Sequence, residues 1–159
     1  MLGDTPYGPE QRRQFPALVR AVDDDPLVRL VLHAGDVKDG ATPCDDAVLA
    51  DVAALFARFD DPLVLTPGDN EWTDCHRSAG RRYLPLDRLD AVRRTLFAEP
   101  GRTLGGRLAD VSSQAADPQH GAHVENVRFM RGRVVVASVH VVGSDNGLAP
   151  WSGLPGGDR

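Results

Sequence analysis

Three short acidic segments stand out because each closes an apolar run: Met1-Leu-Gly-Asp4, Gly35-Asp36 and Gly68-Asp69-Asn70-Glu71. Carboxylate and amide oxygens arriving from separate strand ends can converge on a hard or borderline divalent cation. In an open α/β sheet, ligands bind outside the carboxyl ends of the strands, which is where these segments fall. The preceding glycine lets the backbone turn sharply and leaves room for a ligand. One Gly-Asp is ordinary turn chemistry. Its recurrence at three strand ends, separated by helix-length spacers, leaves a metal site and ordinary turns equally open. For Asn70 and Glu71 the plainer alternative is a simple turn.

Other residues carry weaker signals. His33 lies in a strand just before Gly35-Asp36 and reads as a packed core histidine or a support for the site. His140 ends the apolar run Val134-Val-Val-Ala-Ser-Val-His140 and is a candidate metal ligand, while nothing assigns His120 and His123. Glu125-Asn126, at a hairpin entry, could contact substrate, although a surface pair is the favoured reading. Arg77, Arg81 and Arg82 could fork phosphate oxygens, although a solvated cluster explains them as well. Trp72 can pack beneath its loop, where its indole N–H requires a partner. Cys44 and Cys75 fall in loops on the same edge of the sheet, so they can form one intramolecular disulfide, the alternative being two free thiols. Without a Cys-x-x-Cys spacing they do not suggest zinc.

These groups need a scaffold, and the apolar periodicity supplies an α/β one. Helices are expected over Pro9–Asp23, Asp45–Arg58 and Pro85–Phe97, with Pro16 bending the first or delaying its start. Val28–Ala34 and Pro62–Thr66 read as short buried strands. Strands separated by helices imply right-handed crossovers and a parallel sheet. Ala98–Gln119 has little pattern and reads as a long excursion. Val124–Met130 and Val134–His140 flank Arg131-Gly132-Arg133 as a hairpin. The stretch from Gly143 onward has no core pattern and is expected to fray.

Composition narrows the function classes. With 18 basic and 23 acidic side chains the net charge is −5, which disfavours a nucleic-acid partner. No apolar run is long enough to span a membrane. Residues 1–15 lack the basic start and apolar stretch of a signal peptide. Phosphate-binding Gly-rich loops, dinucleotide fingerprints and Gly-x-Ser-x-Gly elbows are missing too, which closes those routes.

Leu2-Gly-Asp-Thr-Pro-Tyr7, His33-Ala-Gly-Asp-Val-Lys-Asp-Gly40 and Thr66-Pro-Gly-Asp-Asn-Glu-Trp72 together resemble the first three motifs of the calcineurin-like metallophosphoesterases. More narrowly, the chain resembles a bacterial branch with Gly-Asp-x-Pro-Tyr and Pro-Gly-Asp-Asn-Glu-Trp-Thr-Asp-Cys-His. The resemblance implies a layered α/β fold, an αββα sandwich, with residues 1–147 forming part of such a domain and 148–159 a disordered tail. It also implies two divalent metal ions (Mn, Fe or Zn), a small phosphoester substrate and hydrolysis by a metal-bridging water. Asp36 matches the bridging aspartate and Asp4 the aspartate opening the first motif. Pro6 stands where the family usually has a histidine. A gapless match of the third motif places Asp69 at the metal-binding asparagine and Asn70 at the catalytic histidine. A slide of one residue makes Asn70 the ligand. His76 is the nearest replacement for the missing proton donor.

Two other readings compete with hydrolysis. One is a truncated, catalytically inactive remnant, since the family's downstream histidine motifs do not follow Gly147. The other is a metal-binding interaction module whose Asp loops take Ca²⁺. A length of 159 residues fits the first half to two thirds of such an esterase, with Met1-Leu2 the tail of a strand. A Cys44–Cys75 disulfide, together with a signal peptide upstream, would place the protein in the periplasm or outside the cell.

Overall fold

The computed structural model of the chain describes residues 1–146 and Trp151. Among them it is a mixed α/β structure with three long helices and two small sheets. The helices are α1 (Gly8–Asp23), α2 (Asp46–Phe56) and α3 (Pro85–Leu96), and a single turn, α4, spans Gly143–Asn146. Strands β1 (Val31–His33) and β2 (Leu63–Leu65) pair in parallel, with Val31 opposite Leu63 and His33 opposite Leu65. Leu2 extends this sheet in parallel beside His33, and Leu104 closes the other edge antiparallel to Leu63. The second sheet is antiparallel, in the order β3 (Ser112–Ser113), β4 (Val127–Arg131), β5 (Val134–Ser138).

The core follows from the helical spacing of the apolar residues. Phe15 and Val19 of α1 meet Leu49, Val52 and Phe56 of α2 over β1 and β2, with Val92 and Leu96 of α3 completing the cluster. Phe15 packs edge-on against Phe59 at 5.8 Å between ring centres. Pro9 sits in the first turn of α1, where its missing N–H costs nothing. Pro16 lies inside the same helix, which continues through it to Asp23.

Several expectations need correction. The ladder of β1 does not reach back to Val28, because Pro62, just before Leu63, has no N–H to donate. Within α2 the buried residues are Leu49, Val52 and Phe56, and in α3 Leu86 is exposed while Arg88 is buried. The 98–119 excursion is not free of the sheet: Leu104 and Leu63 exchange two backbone hydrogen bonds of 2.8 Å each. Gly105 permits that approach, since a Cβ there would stand 2.2 Å from the Asp61 carbonyl oxygen. The stretch expected to fray from Gly143 begins with the turn of α4. Apart from Trp151, the tail expected to be disordered over 148–159 lies outside the described residues.

Candidate functional site

All three Gly-Asp segments meet at the carboxyl ends of the Leu2, β1 and β2 strands. Leu2 is held by hydrogen bonds to the Leu32 carbonyl and from the Ala34 amide, and the Asp4 amide donates to the Gly35 carbonyl. The turns are tight: Asp4 and Asp36 adopt left-handed backbone conformations with φ of 54° and 55°. The Gly35 and Gly68 backbones touch, so that a Cβ on Gly35 would lie 2.4 Å from the Gly68 nitrogen. A Cβ on Gly68 would lie 2.0 Å from Asp36 Oδ1. Only glycine at both positions lets the second and third loops close on one another.

A hydrogen-bonded chain links the loops. The Tyr7 hydroxyl donates to Asp4 Oδ1 at 3.0 Å. Asn70 Nδ2 donates to the Tyr7 hydroxyl at 3.2 Å, and the Asn70 backbone amide donates to Asp36 Oδ1 at 3.2 Å. Tyr7, beside the Pro6 that replaces the family's histidine, thus bridges Asp4 to Asn70. Its pKa rises through burial and the bond to Asp4. Burial also raises the Asp36 carboxyl; the Asn70 amide opposes this, and the charges of Asp69 and Asp4 add to it. Asp69 enters by that charge rather than by a bond, its carboxylate lying against Gly143.

Behind this chain lies a buried layer in which only His33 is anticipated from the sequence. Glu71, for which a simple turn is the plainer alternative in the sequence, is 1% exposed. Its Oε1 accepts the Val37 and Gly68 amides at 3.0 and 3.2 Å, tying the second loop to the third. Burial lifts its pKa to about 7, and its Oε2 has no hydrogen-bond partner among the described residues. Lys38, the one lysine of the chain, is buried beside it. Burial lowers the Lys38 pKa, against the pull of Glu71, Asp39, Asp74 and Asp36. His33 is a core residue that also supports the site. It receives the Gly35 amide on Nδ1 at 3.2 Å and so donates from Nε2 to the Thr5 carbonyl at 2.9 Å. Burial pushes its pKa down, in keeping with a neutral ring.

The third loop winds into a short 3-10 helix, Thr73–His76. His76 donates from Nδ1 to the Thr73 carbonyl at 2.6 Å, and no hydrogen bond among the described residues joins it to Asp4, Asp36 or Asp69. Cys75 of this helix forms a disulfide with Cys44, the Cα atoms 5.8 Å apart. The Asn70 carbonyl oxygen lies 3.7 Å from both sulfurs. The arginines stay on the surface: Arg77 pairs with Asp74 at 2.5 Å and Arg81 with Asp45 at 3.0 Å.

His140 sits on the far side of Trp72. Trp72 Nε1 donates to His140 Nε2 at 3.1 Å, and His140 Nδ1 therefore donates to Glu125 Oε1 at 2.8 Å. With both ring nitrogens engaged, the expected role of His140 as a ligand has no free nitrogen to rest on in this geometry. Glu125-Asn126 is not a surface pair. Glu125 is fully buried and takes two hydrogen bonds from Arg93, at 2.9 and 2.7 Å. Asn126 accepts the His140 amide at 2.8 Å.

Oxygen donors gathered beyond parallel strand ends, carried on glycine-tightened turns, define a class of α/β proteins with a strand-end acidic site. Within that class the chain belongs to the calcineurin-like phosphoesterase family, whose model matches residues 1–134. Neither the curated proteins nor the solved structures include a match.

The family's members typically bind divalent metals. Among the described residues, no group of three or more His, Cys, Asp or Glu side chains is disposed to hold an ion. The donor chemistry nonetheless fits a hard or borderline divalent cation. Burial, with two neighbouring carboxylates adding to it, raises Asp36, Glu71 keeps a buried oxygen without a hydrogen-bond partner among the described residues, and the linked side chains offer only oxygen donors.

Proposed function

We propose that the protein is a metal-dependent phosphoester hydrolase acting on a small phosphoester. The observation that supports this most strongly is the Asp4–Tyr7–Asn70–Asp36 chain across three strand ends, in a member of the calcineurin-like phosphoesterase family. The two small sheets are read as parts of that family's αββα layers.

Asp4, Asp36, Asp69 and Asn70 are the residues that would hold the divalent ions, Mn, Fe or Zn. When bound, such ions neutralise phosphoryl oxygens and lower the pKa of water. The chain's own residues do the rest. Tyr7 orients the Asp4 carboxylate, and the Asn70 amide orients that of Asp36. Glu71 locks the two loops through Val37 and Gly68. His76, its Nδ1–H tied to Thr73, keeps Nε2 for passing a proton to the leaving oxygen. The disulfide suits an oxidising compartment, periplasmic or extracellular.

Hydrolysis of an aryl phosphate by the full chain, loaded in turn with Mn²⁺, Fe²⁺ or Zn²⁺, tests the reading. Turnover with at least one metal, lost in Asp36→Asn by more than about 100-fold, is the expected result. Calcium-dependent melting without turnover under any metal would favour the interaction module instead.

A further inference from the structure

We propose that Trp72, His140, Glu125 and Arg93 form a latch through which the β4–β5 hairpin positions the loop carrying Asp69 and Asn70. The inference deepens the metal-dependent reading above and rests on it. Its starting point is the set of buried polar groups that the proposed chemistry does not use. Glu125 is fully buried, Trp72 is buried, and the His140 side chain is 7% exposed. Groups so far from water persist only when their hydrogen bonds are matched, and here each finds one. Indole can only donate, so His140 Nε2 must accept from it. That fixes the neutral ring with its proton on Nδ1, where the Glu125 carboxylate receives it. Arg93 of α3 closes the chain with its bidentate fork, the strongest geometry for such a pair.

Each end of the latch is anchored in a different element. Trp72 belongs to the turn that starts at Asp69, whose carbonyl accepts the amides of Trp72 and Asp74 and the Thr73 hydroxyl at 3.0–3.1 Å. Fixing the indole therefore fixes the backbone that presents Asp69 and Asn70. His140 leaves β5 beside the same loop: the Thr66 hydroxyl donates to the Val139 carbonyl at 3.5 Å, and Gly143 abuts the Asp69 carboxylate. A Cβ on Gly143 would come within 2.2 Å of Asp69 Oδ2. His140 is thus a positioning residue, acting on the site through Trp72.

The test is Mn²⁺ titration of the full chain and of Trp72→Phe, which keeps an aromatic side chain and removes the indole N–H. Nitrogen-15 spectra of His140 and of the Trp72 indole are recorded alongside, with Trp151→Phe to assign the two indoles. We expect wild-type His140 to be protonated on Nδ1 alone, and the Trp72 indole proton to be slow to exchange with solvent. Trp72→Phe should weaken Mn²⁺ binding by roughly 10- to 100-fold, as loss of a supporting hydrogen bond does at metal sites. His140→Ala should cost a similar factor, and the double variant no more than either single one. A wild-type His140 protonated on Nε2, or unchanged Mn²⁺ affinity in folded Trp72→Phe, would overturn the latch and leave the site intact. A wild type that binds no Mn²⁺ would overturn the reading of the site and the latch with it. Should His140→Ala fail to fold, the tautomer and the Trp72→Phe titration still decide.

Discussion

The two sheets of the molecule are built on opposite terms. Every residue of β2 is buried, and the loops leaving β1 and β2 are glycine-tightened and tied to one another by Glu71. The hairpin sheet instead exposes one apolar face, with the paired Met130 at 70% and Val135 at 65%. The polar groups that tie it to the rest of the molecule include a charged node, Glu125 with Arg93 and His140, and a hydrogen bond from Arg131 to the Arg29 carbonyl. The site is thus positioned by two kinds of force. Apolar burial beneath β1 and β2 fixes Asp4 and Asp36, while polar contacts through Trp72 and Thr66 reach the third loop from the hairpin side.

Breaking the covalent tie on the first side should have the largest effect. Replacing both Cys44 and Cys75 by Ala opens a loop that spans 31 residues. Thermal or denaturant unfolding should register a loss of about 2–4 kcal/mol. Metal affinity should fall as well, because the Asn70 carbonyl packs against both sulfurs.

On the hairpin side the node is the place to cut. Burial alone would raise the Glu125 carboxyl, but hydrogen bonds from His140 and Arg93 outweigh it and hold the pKa at about 2 against 4.5 for an ordinary glutamate. A carboxyl lowered in the folded state adds stability that is full above about 4.5 and is lost as pH falls towards 2. Urea titrations across that range should show this acid limb in the wild type and a flatter profile in Glu125→Gln. At neutral pH the same variant should lose about 1–3 kcal/mol.

The smallest change belongs to the exposed face. Val135→Thr on β5 should alter stability by less than about 0.5 kcal/mol, measured by the same unfolding curves. A loss as large as that of Glu125→Gln would mean that the face is covered, and that the contrast between the sheets is wrong.

What could be read in the sequence was what local chemistry decides. Gly35-Asp36 and Gly68-Asp69 show their turns in adjacent residues, and the apolar spacing of Phe15, Val52 and Val92 gives the helices without reference to partners. Cys44 and Cys75 have only one pairing available. Glu71 and Glu125 were missed because burial of a carboxylate depends on distant donors: the Val37 amide for one, and Arg93 on a helix 32 residues earlier for the other. A lone acid inside an apolar alternation, as in Val124-Glu125-Asn126-Val127, was the available signal. Leu104 was equally hidden, since its pairing with Leu63 depends on Gly105 closing against the Asp61 carbonyl, which no period reveals.

The central claim is that the strand-end carboxylates hold a divalent cation, and equilibrium titration with Mn²⁺ tests it most directly. The full chain with its disulfide intact, stripped of metal and then titrated, should take up at least one equivalent. Asp36→Asn should bind more weakly by about 100-fold or more while melting at no lower temperature, because it removes one of the mutually repelling carboxylates. Less than about a tenth of an equivalent bound by the wild type, or equal affinity in Asp36→Asn, would contradict the account.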